Sequence, residues 1–155
     1  MSNYFRVINP EIEEYNAIGK DIIGAAFTVH QKTGRSLREK YYEAALCHEL
    51  TKKGYEVQRQ YTVPAQYDGE IIDDSYQADI VVNGKDIIEV KAVSKMTETE
   101  SRQLVTYLKL SDFKLGYLIN FGARDFSIGN SKDPMPYQKG IYRFVNRLGN
   151  TELKT

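Results

Sequence analysis

Ala78-Asp79-Ile80-Val81-Val82-Asn83-Gly84-Lys85-Asp86-Ile87-Ile88-Glu89-Val90-Lys91 is the stretch from which the fold is read. Two β-branched runs flank Asn83-Gly84, a dipeptide that tolerates the positive φ of a tight hairpin turn. The segment therefore reads as two strands, Ile71–Val82 and Asp86–Val93. Glu89 and Lys91 are two apart and share one face of their strand. Whether Asp79 joins them depends on the loop. A two-residue loop pairs Asp79 with Ile88 and turns Glu89 to the other face. A three-residue loop, Val82-Asn83-Gly84 with Gly84 left-handed, pairs Asp79 with Ile87 and restores a common face. That loop, or an equivalent bulge, is the prediction.

An acidic pair with a lysine on one sheet face is costly to desolvate unless it binds something. Two carboxylates suit a hard cation such as Mg²⁺, which prefers oxygen ligands and keeps several waters. The lysine would then orient or help deprotonate a metal-bound water, or stabilise charge on a phosphate. By itself the D-x9-E-x-K spacing is weak, since it arises often by chance.

On the N-terminal side, Ile12, Tyr15, Ile18, Ile22, Ala25/Ala26 and Val29 recur at helical spacing. They predict a helix over Pro10–Gln31, with Asn9 as N-cap. Gly34 interrupts it. Ser36 and Glu39 form a capping-box pattern for a second helix that ends near Lys52-Lys53-Gly54. Tyr55–Tyr67 reads as one strand or a bent pair, with Pro64 placing part of it at an edge. On the C-terminal side a helix is predicted over Thr97–Ser111, a strand over Leu115–Phe121, a loop over Ala123–Gln138 and a last strand over Gly140–Asn146. The order predicts an α/β fold with a mixed sheet between helices, built as one domain across residues 1–155.

Composition narrows the classes. Hydrophobic residues make up 41% of the 155 and charged residues 27%, as in globular domains rather than disordered chains. The longest uncharged apolar stretch, Ile22–His30, is too short for a membrane span. A single cysteine, Cys47, and an N-terminus without signal character point to the cytoplasm. Two histidines without a cysteine cluster argue against structural zinc. Twenty-one basic and 21 acidic residues cancel, but unevenly. Residues 1–94 carry 11 basic against 15 acidic, residues 95–155 10 against 6. This is either ordinary scatter or the mark of one acidic pocket and one basic face.

Two further features carry polar groups where apolar ones are expected. Glu39 falls in the inward stripe of Tyr42, Leu46 and Leu50, with Glu43 nearly as well placed. It either caps its own helix or reaches a metal or the lysine. Gln103 and Tyr107 are neighbours at i, i+4 beside Leu104 and Leu108. They either satisfy buried backbone or hold a phosphate or nucleobase. His30 and His48 fit poorly as general bases, one ending a helix and the other facing outward.

In this order the residues resemble the PD-(D/E)XK nuclease superfamily and, within it, the GxxExxY family. The likeness runs from about Ile18 to Asn146. It rests on Val29-His30, Leu37, Glu39, Tyr42 to Leu46, Glu49-Leu50, Gly54, Val57-Gln58 and Tyr67-Asp68-Gly69. It continues through Ala78 to Val82, Ile87 to Ala92, Gln103-Leu104, Tyr107 to Lys109 and Leu118 to Gly122. Ser36 stands where the family motif has glycine, giving S-x-x-E-x-x-Y, with Gly34 two residues earlier.

The resemblance implies a restriction-endonuclease-like core. It implies Asp79, Glu89, the carbonyl of Val90 and Glu39 as metal ligands, and Lys91 as the catalytic lysine, with Glu39, Asp79 and Glu89 also in the catalytic set. Gln103 and Tyr107 match a Q-x-x-x-Y motif that positions nucleic acid in the exonuclease-like branch. The expected function is Mg²⁺- or Mn²⁺-dependent hydrolysis of phosphodiester bonds in nucleic acid, DNA ahead of RNA, without a membrane and with room for a homodimer. The competing reading is a catalytically inactive nuclease-fold module that binds nucleic acid or a protein partner. The neutral net charge favours this second reading, and the full set of six site residues favours the first.

Overall fold

The computed structural model describes residues 10–146. Its elements are α1 (Pro10–Thr33), α2 (Glu39–Lys52), β1 (Val57–Thr62), β2 (Ala65–Tyr67), β3 (Glu70–Asp73), β4 (Gln77–Val82) and β5 (Asp86–Lys91). Then follow α3 (Glu98–Leu110), β6 (Leu115–Asn120), β7 (Asp125–Ile128) and β8 (Lys139–Val145). Six strands form one sheet in the order β1-β4-β5-β6-β8-β7, and β2 and β3 form a separate two-stranded sheet. β1, β4 and β5 run antiparallel, β5 and β6 parallel with α3 as the crossover, and β6 and β8 antiparallel. Helices cover both faces, the restriction-endonuclease-like arrangement expected. Among the described residues no helix is long and apolar enough to cross a membrane.

Alternation along β5 assigns the faces. Ile88 and Val90 join the core under α1 and α2, with Ile18, Ile22, Leu46, Leu50 and Phe121. Ile87 joins the core under α3, with Leu104, Leu108 and Leu118. Glu89 and Lys91 thus belong to the α3 side. β6, in the middle, is buried at every position, as a strand covered on both faces must be. α3 approaches it closely at Gly116, where an added Cβ would lie 2.9 Å from a Leu104 methyl.

The helices match the predicted spans within two residues, except at the start of α2. No capping box forms at Ser36. Arg38 is the N-cap and offers no side-chain hydrogen bond. The turn is held from below, by the Tyr42 hydroxyl donating to the Gly34 carbonyl at 2.7 Å and accepting from Leu37 N at 3.1 Å. The capping box that does form is at α3, between Thr97 and Glu100. The predicted Asn9 cap lies outside the described residues.

Three strand expectations need correction. The run Ile71–Val82 breaks at residues 74–76, so β3 leaves the main sheet to pair with β2. The loop read over Ala123–Gln138 contains β7, which pairs parallel to β8 at the sheet edge. β7 is short and half exposed, so it carries little apolar periodicity. The hairpin register is also offset: Val82 pairs with Asp86 and Ile80 with Ile88. Asn83 and Gly84 are both left-handed (φ 52° and 64°), and Lys85 N bonds Val82 O at 3.0 Å. The tight turn is closed by Lys85 as an extra residue, rather than by Val82. The shift is two residues in pairing, so it preserves face parity and sets Asp79 opposite Glu89.

Candidate active site

β4 and β5 stay paired only from Val82/Asp86 to Ile80/Ile88. Beyond that the strands part, and a side chain replaces the missing backbone partner. Asp79 Oδ2 accepts a hydrogen bond from Val90 N at 2.8 Å. The carboxylate is thereby aimed into the opening, beside Glu89. Glu89 is only 7% exposed. Burial, together with the Asp79 charge, raises its pKa from the usual carboxylate range to about 8, with Lys91 opposing the shift. Asp79, Glu89 and Lys91 therefore form one electrostatic unit at the C-terminal end of β5.

Just past Lys91 the chain is clamped. Fully buried Asn120 accepts from Val93 N at 3.0 Å, donates to Val93 O at 2.9 Å and accepts from Gly122 N at 3.1 Å. Gly122 is required there because a Cβ would stand 2.5 Å from the Val93 carbonyl oxygen. This fixes the end of β5, and with it the root of the Lys91 side chain.

Two tyrosines line the α3 side. The Tyr76 hydroxyl donates a hydrogen bond to Glu89 Oε1. The Tyr76 ring stacks on Tyr107 of α3, with centroids 3.8 Å apart and planes within 12°. Tyr107 thus reaches the site through Tyr76. Gln103, one turn earlier, is exposed on the same helix.

The α2 side is built by Glu43 rather than Glu39. Glu43 is 3% exposed and accepts from Arg59 Nε at 3.1 Å and from Gln60 Nε2 at 3.2 Å. The same Gln60 amide reaches Asp79 Oδ1 at 3.4 Å. Gln60 is in the left-handed region (φ 50°), a conformation that costs a non-glycine residue on the order of 1 kcal/mol. That kink faces its amide toward both acids. Glu39 stands half-buried at the first turn of α2. Among the described residues no three His, Cys, Asp or Glu side chains gather as a metal-binding group, so Glu39 does not join Asp79 and Glu89.

Sequence reasoning missed Tyr76 and Gln60 and ranked Glu43 second. Nothing in period-two text marks a kinked glutamine. Tyr76 was hidden because the strand was read straight through residues 74–76. His48 is exposed on α2, as expected.

With this geometry in place, comparison with known proteins decides the family. A model of the PD-(D/E)XK nuclease superfamily matches residues 16–130. The chain belongs to that superfamily. No curated protein and no solved structure matches it significantly. The matched span contains Asp79 and, ten residues on, Glu89-Val90-Lys91. The donors fit a hard divalent cation. The Asp79 and Glu89 carboxylates stand close enough for the Asp79 charge, after burial, to raise the Glu89 pKa. Mg²⁺ is commonly held by one or two carboxylates and completes its shell with water and substrate phosphate.

Proposed function

We propose that the chain is a nuclease of the GxxExxY family that hydrolyses phosphodiester bonds in nucleic acid with Mg²⁺ or Mn²⁺. The observation that carries this reading is the meeting of Asp79, Glu89 and Lys91 where β4 and β5 separate. Asp79 and Glu89, with the Val90 carbonyl, would hold the cation. The cation supplies an activated water and offsets charge on the scissile phosphate. Lys91 orients that water and meets developing negative charge on the phosphate. Tyr76 donates to one oxygen of Glu89 and so holds its carboxylate plane. Gln103, free on the surface of α3, contacts the nucleic acid, while Tyr107 braces Tyr76. DNA stands ahead of RNA as substrate.

The test is cleavage of labelled single- and double-stranded DNA and RNA with Mg²⁺ or Mn²⁺. A chelator control and the Lys91→Ala variant run alongside. Metal-dependent cleavage that the variant loses is the expected result. Cleavage that survives the substitution removes Lys91 from the site. An inert parent that still binds Mg²⁺ by calorimetry would favour the nuclease-fold binding module instead.

A further inference from the structure

The β2–β3 hairpin, residues 65–73, stands apart from the main sheet and pairs only with itself. Its base is fastened: Val63, Ala65 and Tyr76 are buried, and Val63 N bonds Tyr76 O at 2.9 Å. Gln66 also bonds Asp112 at 3.3 Å, beyond the end of α3. Its tip carries Tyr67, Ile71 and Ile72 at 67%, 63% and 64% exposure. Adjacent strand residues project to opposite sides, so Ile71 and Ile72 leave apolar surface on both faces of the hairpin. Isolated exposed hydrophobics are ordinary, but three on one nine-residue element are not.

The charge around them is one-sided. Asp68, Glu70, Asp73 and Asp74 lie within residues 65–75, which contain no Lys or Arg. None of the four is in an ion pair with a described residue. A nucleic-acid backbone would be repelled here, since it needs cations to neutralise its phosphates. A second copy docking hairpin to hairpin would bring two uncompensated acidic sets together. The fitting surface is apolar and rimmed by Lys and Arg.

We propose that the β2–β3 hairpin is a docking arm for a protein partner that presents an apolar pocket bordered by basic residues. Tyr67, Ile71 and Ile72 fill the pocket, and the four acids meet the rim. This is independent of whether the site at Asp79 cleaves nucleic acid.

The probe is an amphipathic peptide of alternating Lys and Leu, titrated into the ¹⁵N-labelled full chain. A Glu/Leu peptide serves as its control. The expected result is amide shifts confined to residues 65–75 with the Lys/Leu peptide alone. Binding should weaken about tenfold when Tyr67, Ile71 and Ile72 are all changed to Thr, which keeps strand propensity. It should weaken again in Asp68→Asn/Glu70→Gln/Asp73→Asn/Asp74→Asn and as salt shortens the Debye length. Unchanged spectra outside the hairpin show that the variants fold. Equal binding by the threonine variant, shifts centred on Asp79 and Glu89 instead, or no shift at the hairpin would each overturn the proposal. So would self-association in sedimentation that the threonine variant abolishes, because it would make a second copy the occupant.

Discussion

β5 carries a buried carboxylate at each end, and the two have opposite settings. Asp86, at the start, faces α1, is fully buried and has no hydrogen bond to either oxygen. Near it, also without partners, are the Tyr117 hydroxyl and Arg143 Nε. Glu89, three residues on, has Tyr76 on one oxygen, Asp79 opposite and Lys91 beside it. Burial raises both pKa values, to about 7 and about 8. A perturbed carboxyl group is therefore not by itself the mark of a site. What separates them is the ladder: at Asp86 β4 and β5 are still paired, and at Glu89 they have parted. Separation admits side chains and ligands from both neighbouring elements; pairing seals the carboxylate in.

The hardest test of this contrast is to remove the charge at each end. Glu89→Gln should lower metal-dependent cleavage by at least about 100-fold and weaken Mg²⁺ binding in calorimetry. Asp86→Asn should leave cleavage unchanged. Its effect belongs to stability. Asp86 titrates near 7 in the fold and near 3.8 as an ordinary carboxyl. The folded state thus holds a proton the unfolded chain releases. Stability from this group is full below about pH 4 and is lost as pH rises through 7. Asp86→Asn removes that slope and should stabilise the protein at about pH 8.5 by on the order of 2 kcal/mol, read from urea melts.

Two smaller effects sharpen the description of the Glu89 end. Tyr76→Phe keeps the stack on Tyr107 but removes the hydroxyl, and should weaken Mg²⁺ binding about tenfold with little change in melting temperature. Gln60→Gly relieves the left-handed strain while deleting the amide that spans Glu43 and Asp79. It should hold stability within about 1 kcal/mol of the parent while reducing activity, so the two readouts separate.

Much of this was legible in the sequence, for physical reasons. The three helices announce themselves because long amphipathic periods and glycine stops are local signals: Ile18, Ile22 and Val29, then Gly34; Tyr42, Leu46 and Leu50, then Gly54. The shared side of Asp79 and Glu89 followed from strand parity, and it survived a two-residue error in register because parity did. What was not legible depends on tertiary placement. Ser36 has the chemistry of a cap, but Tyr42 already satisfies the turn from the core. Glu39 and Glu43 lie one helical turn apart, and only the position of β1 decides which one meets Gln60. β3 looks continuous with β4, and only the pairing partner shows that it belongs to a different sheet.

The hydrogen bonds that orient the two acids also bear on which cation the proposed site would accept. Val90 N holds Asp79 Oδ2 and the Tyr76 hydroxyl holds Glu89 Oε1. Each carboxylate thus has one oxygen already engaged, and the Gln60 amide reaches the other oxygen of Asp79 at 3.4 Å. Carboxylates so engaged would offer a cation at most one oxygen each and would not wrap it. Ca²⁺, which gathers six to eight oxygens and favours two-oxygen carboxylate grips, is under-served by such a pair. A small octahedral ion that keeps most of its positions for water and phosphate is not, so selectivity between the two would be written in the partners of the acids as much as in the acids themselves.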